Sequence, residues 1–155
     1  MRKVEGSSPP PPTNFMIIHL WHSMLDMKKY DLAWHKNDIA DELKELKEGT
    51  NWLNRWSEYS DIAYTYTRAK WTGYKLKRPI SVFHFTIGLI YMFPKYTLRW
   101  LFFKRAGKKF NRVIHEVRNP KKIKKLTIIA KRNGINSEQF VELCQKQLRY
   151  WPLLK

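Results

Sequence analysis

Four acidic side chains fall into two pairs of equal spacing, Glu42 with Glu45 and Glu58 with Asp61. Residues three apart on a helix lie on one face, so each pair directs both carboxylates the same way. The two pairs sit symmetrically about a turn centred between Asn51 and Trp52. If the flanking helices fold back antiparallel, Glu45 faces Glu58 and Glu42 faces Asp61. Four carboxylates gathered in a partly buried place repel one another unless a cation or bound protons neutralise them. Donors that are all oxygen suit a hard ion, Mg²⁺ or Mn²⁺. Such an ion in turn takes phosphate ligands and activates water.

Helix angles separate these acids from their neighbours. Asp38, Glu42 and Glu45 form one stripe beside the apolar face, while Asp41, Lys44 and Glu48 point toward solvent. Beyond Asp61, Thr65 and Arg68 share its face. Arg68 is the expected phosphate contact, with Lys70 as a second candidate. His35, seven residues before Glu42, lies on the carboxylate side, where it either helps position water or phosphate or is a structural histidine. The bland alternative for the whole cluster is a solvated helix face, since charged pairs at this spacing are common there.

The elements that would position these groups are legible. Leu32, Ile39, Leu43 and Leu46 recur on one side of a helix over 31–48, which Gly49 ends. A second helix is expected over 54–71, with Tyr59, Ile62, Tyr66 and Ala69 inward and Gly73 as its stop. A first helix is expected over 15–27. Its His19 and His22 share a face at a metal-ligating spacing, but with no third ligand nearby they read as packing residues. Residues 80–93 are almost uncharged but too short to span a bilayer, and they meet Pro94, so they read as a buried helix. Near the end, Asn119 with Pro120 is expected to start a helix carrying Leu126, Ile129 and Ala130. After Gly134, a last helix carries Phe140, Val141, Leu143 and Leu148. The lone Cys144 excludes an internal disulfide and reads as a buried helix residue.

The expected fold is therefore all-α, a helical bundle built around an antiparallel hairpin (31–48 and 54–71) with a basic helical C-terminal extension. It divides into a Pro-rich arm at 1–13, an acidic hairpin core at 14–75 and a basic, aromatic-rich region at 76–155. The arm lacks the apolar stretch and cleavage pattern of a secretory signal. That predicts an intracellular protein, cytoplasmic or nuclear, with one early Arg-Lys pair as thin support for a mitochondrial address.

Charge divides the chain the same way. Residues 31–61 carry four basic and eight acidic side chains, whereas residues 62–155 carry 22 basic and three acidic ones, within a total of +17. A field of that size favours polyanionic partners. Lys121, Lys122, Lys124, Lys125, Lys131 and Arg132 are the nucleic-acid-binding candidates, on a helical pair that is either a helix-turn-helix or a hairpin with a solvated basic face. Trp52, Trp56, Trp71 and Trp100 are able to stack on bases, but tryptophans more often build core. Residues 80–109 are also suited to an anionic membrane surface.

Glu42-x-x-Glu45, a spacer, then Glu58-x-x-Asp61 resembles the E-x-x-E, E-x-x-D signature of the all-α nucleoside triphosphate pyrophosphatases, which include MazG-like proteins, dimeric dUTPases and phosphoribosyl-ATP pyrophosphatase. The string Glu58-Tyr59-Ser60-Asp61-Ile62-Ala63-Tyr64 is similar to a segment of the last of these. The match covers residues 34–75. The resemblance implies a helical bundle that forms a homo-oligomer, with Glu42, Glu45, Glu58 and Asp61 as the catalytic Mg²⁺ ligands. It implies cleavage of a nucleotide between its α- and β-phosphates. A member that binds nucleotide without cleaving it would carry the same residues.

Overall fold

The structure, a computed structural model, describes residues 13–154. The expected Pro-rich arm lies outside the described residues, except for Thr13. Six α-helices account for the fold, with no strand among the described residues: α1 (Thr13–Leu25), α2 (Leu32–Glu48), α3 (Trp52–Thr72), α4 (Val82–Lys108), α5 (Ile123–Arg132) and α6 (Ser137–Leu148), followed by a 3₁₀ turn at Pro152–Leu154. The all-α bundle expected from sequence is what the chain forms.

Local chemistry sets the ends of the hairpin. Asp31 caps α2 by accepting from the backbone N–H of Trp34 at 2.8 Å, and Asn51 caps α3 by accepting from that of Asn54 at 2.8 Å. At the far end of α3, Gly73 adopts φ +108, and the N–H groups of Gly73 and Tyr74 satisfy the carbonyls of Lys70 and Ala69. That left-handed closure strains any residue with a Cβ. The expected helix 54–71 thus starts two residues earlier and ends one later.

Helix α3 is the central element. Every residue from Ile62 to Ala69 is buried, because α2, α4 and α1 all pack on it. Two apolar clusters form. One joins Trp21, Leu25 and Met27 to Ala63 and Tyr64 of α3, to Met92 and Tyr96 of α4, and to Val117. The other joins Phe102, Phe103 and Ala106 of α4 to Leu126, Ile129 and Ala130 of α5 and to Phe140 and Cys144 of α6. Burial pushes the Cys144 thiol up to about 12, so it is an inert core residue.

Helix α4 corrects two sequence expectations. It does not stop at Pro94 but runs on to Lys108. An interior proline costs about 3 kcal/mol, and burial of Met92 and Tyr96 on either side, then of Phe102 and Phe103, offsets it. Nor is the apolar run 80–93 wholly buried, since Phe83 and Ile90 are each 70% exposed. No described helix is long and apolar enough to cross a membrane.

The start of α5 is a further correction. Asn119 Oδ1 accepts from the N–H of Lys121 within a turn, and the helix begins only at Ile123, with Lys122 as a cap that makes no side-chain bond. Pro120 is fully buried instead of opening the helix. The α5–α6 pair closes through Gly134 at φ +64, with Asn136 capping α6.

Candidate functional site

A cavity of about 410 Å³ opens between the α2–α3 hairpin, α4 and the segment leading into α5. Asp38, Glu42 and Glu45 reach it from α2, and Glu58 and Asp61 from α3. Oxygens of Glu42, Glu58 and Asp61 all lie within 4.8 Å of one another. Glu45 is not part of that triad. Its side chain is half-exposed and sits 4.0 Å from Lys122. The hairpin therefore gathers all four sequence-selected acids at one cavity, three of them tightly.

Three physical signatures mark the cluster. Burial, and after it the neighbouring Asp61, pushes the Glu42 carboxyl up to about 8. Glu58 is raised by the same causes, and its Oε2 is buried without a hydrogen-bond partner. Asp61 is held hard from behind: Lys95 Nζ donates to both of its oxygens at 2.7 Å, the Tyr96 hydroxyl donates to Oδ1, and Arg99 lies 3.9 Å away. Lys95 also donates to the backbone carbonyl of Ser57 and to the hydroxyls of Ser57 and Ser60, so its three protons are fully engaged.

The donor set fits a hard divalent ion. All three groups are carboxylates, and their oxygens lie within 4.8 Å, so small side-chain shifts would bring them to the roughly 4.2 Å that opposite oxygens on Mg²⁺ span. The buried Glu58 Oε2 has no hydrogen-bond partner to give up.

The other sequence-selected residues divide. Asp38 lines the cavity, and burial raises its carboxyl against the pull of Arg68, Arg118 and Lys125. Arg68 also lines it, but its guanidinium lies over the rings of Tyr30 and Trp34 and donates to the Lys28 carbonyl. Lys70, the second phosphate candidate, turns away from the cavity and lies over Phe15 and Tyr66, because it projects from the side of α3 that faces α1. His35 is fully buried between Trp34 and Tyr74 and does not line the cavity, so it is a packing residue. His22 is likewise a core group, bonded to Thr67 at 2.8 Å, while His19 is exposed.

Among the six basic candidates, Lys121, Lys124, Lys131 and Arg132 are exposed, whereas Lys122 and Lys125 line the carboxylate cavity. Of the tryptophans, Trp34 lines the cavity; Trp52, Trp56, Trp71 and Trp100 do not. Sequence reasoning passed over Lys95, Tyr96, Arg99 and Arg118. Lys95 and Arg99 had a signal, a basic pair four residues apart between two apolar runs of α4, with Tyr96 beside it. Arg118 had none, because it lies in a segment without periodicity.

No protein-family model matches the chain, and neither a curated protein nor a solved structure matches it.

Proposed function

We propose that this chain binds a divalent metal, Mg²⁺ or Mn²⁺, through Glu42, Glu58 and Asp61, with Glu45 beside them, and uses it on the phosphoanhydride of a nucleotide. The reading is that of a nucleoside triphosphate pyrophosphohydrolase or a binding relative of one. The observation that carries it is the convergence of three carboxylates to within 4.8 Å, one of which keeps its proton to about pH 8. Clustered carboxylates cost stability, and a metal site is the ordinary reason to hold them together.

When bound, a hard divalent ion polarises a phosphoryl oxygen and lowers the pKa of a coordinated water. The residues of the chain do the rest. Lys95 and Tyr96 fix the orientation of Asp61. Glu42, which burial keeps protonated to about pH 8 in the metal-free protein, gives up that proton to solvent when it takes the ion.

The test is pyrophosphate release from a panel of nucleoside triphosphates with Mg²⁺ or Mn²⁺, alongside Mn²⁺ binding. Glu42→Gln is expected to abolish both while leaving the helical content unchanged. Absence of Mn²⁺ binding by the wild-type chain at millimolar metal removes the proposal.

A second reading, nucleic-acid binding through the exposed Lys121, Lys124 and Lys131, is favoured by their exposure on α5 and the turn before it. It requires affinity for mixed RNA or DNA that falls steeply with salt. Two lesser proposals rest on exposed apolar groups. Ile17 and Leu20 on α1 suit self-association, checked by sedimentation. Phe83, Ile90 and Leu101 on α4 suit an anionic lipid surface, checked by vesicle flotation.

A further inference from the structure

Opposite the carboxylates, the same cavity has a second wall that is cationic. It is built largely by the segment between α4 and α5, residues 109–122, which runs back over the hairpin. Val117 anchors this segment in the first apolar cluster, and Pro120 is fully buried. His115 Nδ1 lies 3.0 Å from the Asp26 carbonyl. Glu116 braces the wall, accepting from Arg118 and from Arg132 at 3.3 Å each. Arg118 is thus fixed at the cavity by a partner outside the metal triad. Lys122 stands 4.0 Å from Glu45, Arg99 stands 3.9 Å from Asp61, and Lys125 makes no ion pair among the described residues.

Resting on the metal-site reading, we propose that Arg99, Arg118, Lys122 and Lys125 hold the phosphate chain of a di- or triphosphate, and that this chain binds only after the metal. The order follows from charge. Six carboxylates and five Arg or Lys side chains line the cavity, and Lys95 holds Asp61 from beside it, so the charges nearly balance in the metal-free protein. One divalent ion tips that balance toward an anionic ligand. Arg99 stands beside Asp61 and Lys122 beside Glu45, at the two edges of the carboxylate cluster, so an anion drawn to an ion there also meets these cations. Cations at both edges of the cluster suit a chain of phosphates. A cavity of about 410 Å³ suits a small ligand and excludes a nucleic-acid duplex.

The test measures binding of inorganic tripolyphosphate by calorimetry in excess Mg²⁺ and again in EDTA, with Mn²⁺ binding measured separately without phosphate. Arg118→Ala and Lys125→Ala are each expected to weaken tripolyphosphate at least tenfold, with Mn²⁺ affinity within twofold of wild type. Lys146→Ala, exposed on α6, is expected to change neither. Arg118→Lys, which keeps the charge, recovers part of the loss and guards against a folding defect. EDTA is expected to abolish tripolyphosphate binding. Wild-type affinity in both Ala variants overturns the proposal, as does equal binding with and without metal. If the wild-type chain takes up no Mn²⁺ at all, it is the underlying metal reading that fails.

Discussion

Lys95 Nζ sits 2.7 Å from both oxygens of Asp61, with the two side chains 9% and 15% exposed. The ammonium bridges both oxygens of a carboxylate that also lies within 4.8 Å of Glu42 and Glu58. Burial pulls the Lys95 pKa down, and Asp61 works against that by holding the proton on. In the metal-free protein, Lys95 is therefore the counter-ion of the cluster. Lys95→Met leaves Asp61 in a low-dielectric place without it, a change that costs about 3 kcal/mol. The melting temperature should fall accordingly. Saturating Mn²⁺ should then raise it by more in Lys95→Met than in wild type, because the metal replaces the lost charge. An equal or smaller Mn²⁺ shift in the variant would show that Lys95 does not serve the metal cluster.

The metal-free fold should lose stability toward both acid and alkali, and the sign follows from linkage. Glu42 titrates near about 8 when folded and near the ordinary glutamate value when unfolded. Between those values the folded state holds the extra proton, so stability falls as pH rises toward 8. His22 and His35 are lowered to about 3 and about 4, chiefly by burial and next by Arg68. Below about 6.5 the unfolded state protonates them and the folded state does not, so stability falls as pH drops. Thermal melts in EDTA from pH 5 to 9 should show both limbs. Glu42→Gln should flatten the alkaline limb, and saturating Mg²⁺ should invert it. A melting temperature that climbs steadily to pH 8.5 in EDTA contradicts this assignment of Glu42.

The hairpin was readable in the sequence because its information is local. Asp31, Asn51, Gly49 and Gly73 are capping and stop residues, and the spacing of Glu42, Glu45, Glu58 and Asp61 converts directly into helix faces. What helix angles cannot give is the partner that a side chain finds across the fold. Arg68 lies on Asp61's face as expected, yet its guanidinium is taken by Tyr30, Trp34 and the Lys28 carbonyl. Lys70 and His35 were lost to packing for the same reason. Pro94 misled because its backbone penalty is local, while the burial that overrides it comes from both ends of α4. The cationic wall was the least legible part, because Arg118 is placed by a non-helical segment whose course is set by the burial of Val117 and Pro120.

Close approach of α3 and α4 is what holds Glu58 at the cavity. A Cβ on Gly88 would clash with the Tyr59 carbonyl oxygen and come within 2.8 Å of its carbon, both backbone atoms unable to step aside. Gly88→Ala must therefore push the two helices apart next to Glu58. The expected loss is about 1–3 kcal/mol, or a drop in melting temperature of about 2–4 °C per kcal/mol. Mn²⁺ affinity should fall in the same variant because the triad is spread. Gly73→Ala serves as a control: its Cβ meets nothing within 4 Å, so it strains the α3 terminus through φ alone and leaves Mn²⁺ affinity unchanged once folded.

The division between three close carboxylates and a fourth at the edge has its own consequence. Glu58 presents a buried oxygen with no partner, and Asp61 is oriented by Lys95 and Tyr96, so both are preorganised for an ion. Glu45 is half-exposed and 4.0 Å from Lys122, so it would reach a bound ion only through water or a neighbouring side chain. Glu58→Gln should therefore abolish Mn²⁺ binding. Glu45→Gln should weaken it by about ten- to a hundredfold, the usual effect of an outer partner. Electron paramagnetic titration of free Mn²⁺ separates the two. If Glu45→Gln is as damaging as Glu58→Gln, α2 must turn to bring all four acids onto the ion when metal arrives. The equal spacing of the two acidic pairs would then be a better guide to the loaded site than the metal-free geometry.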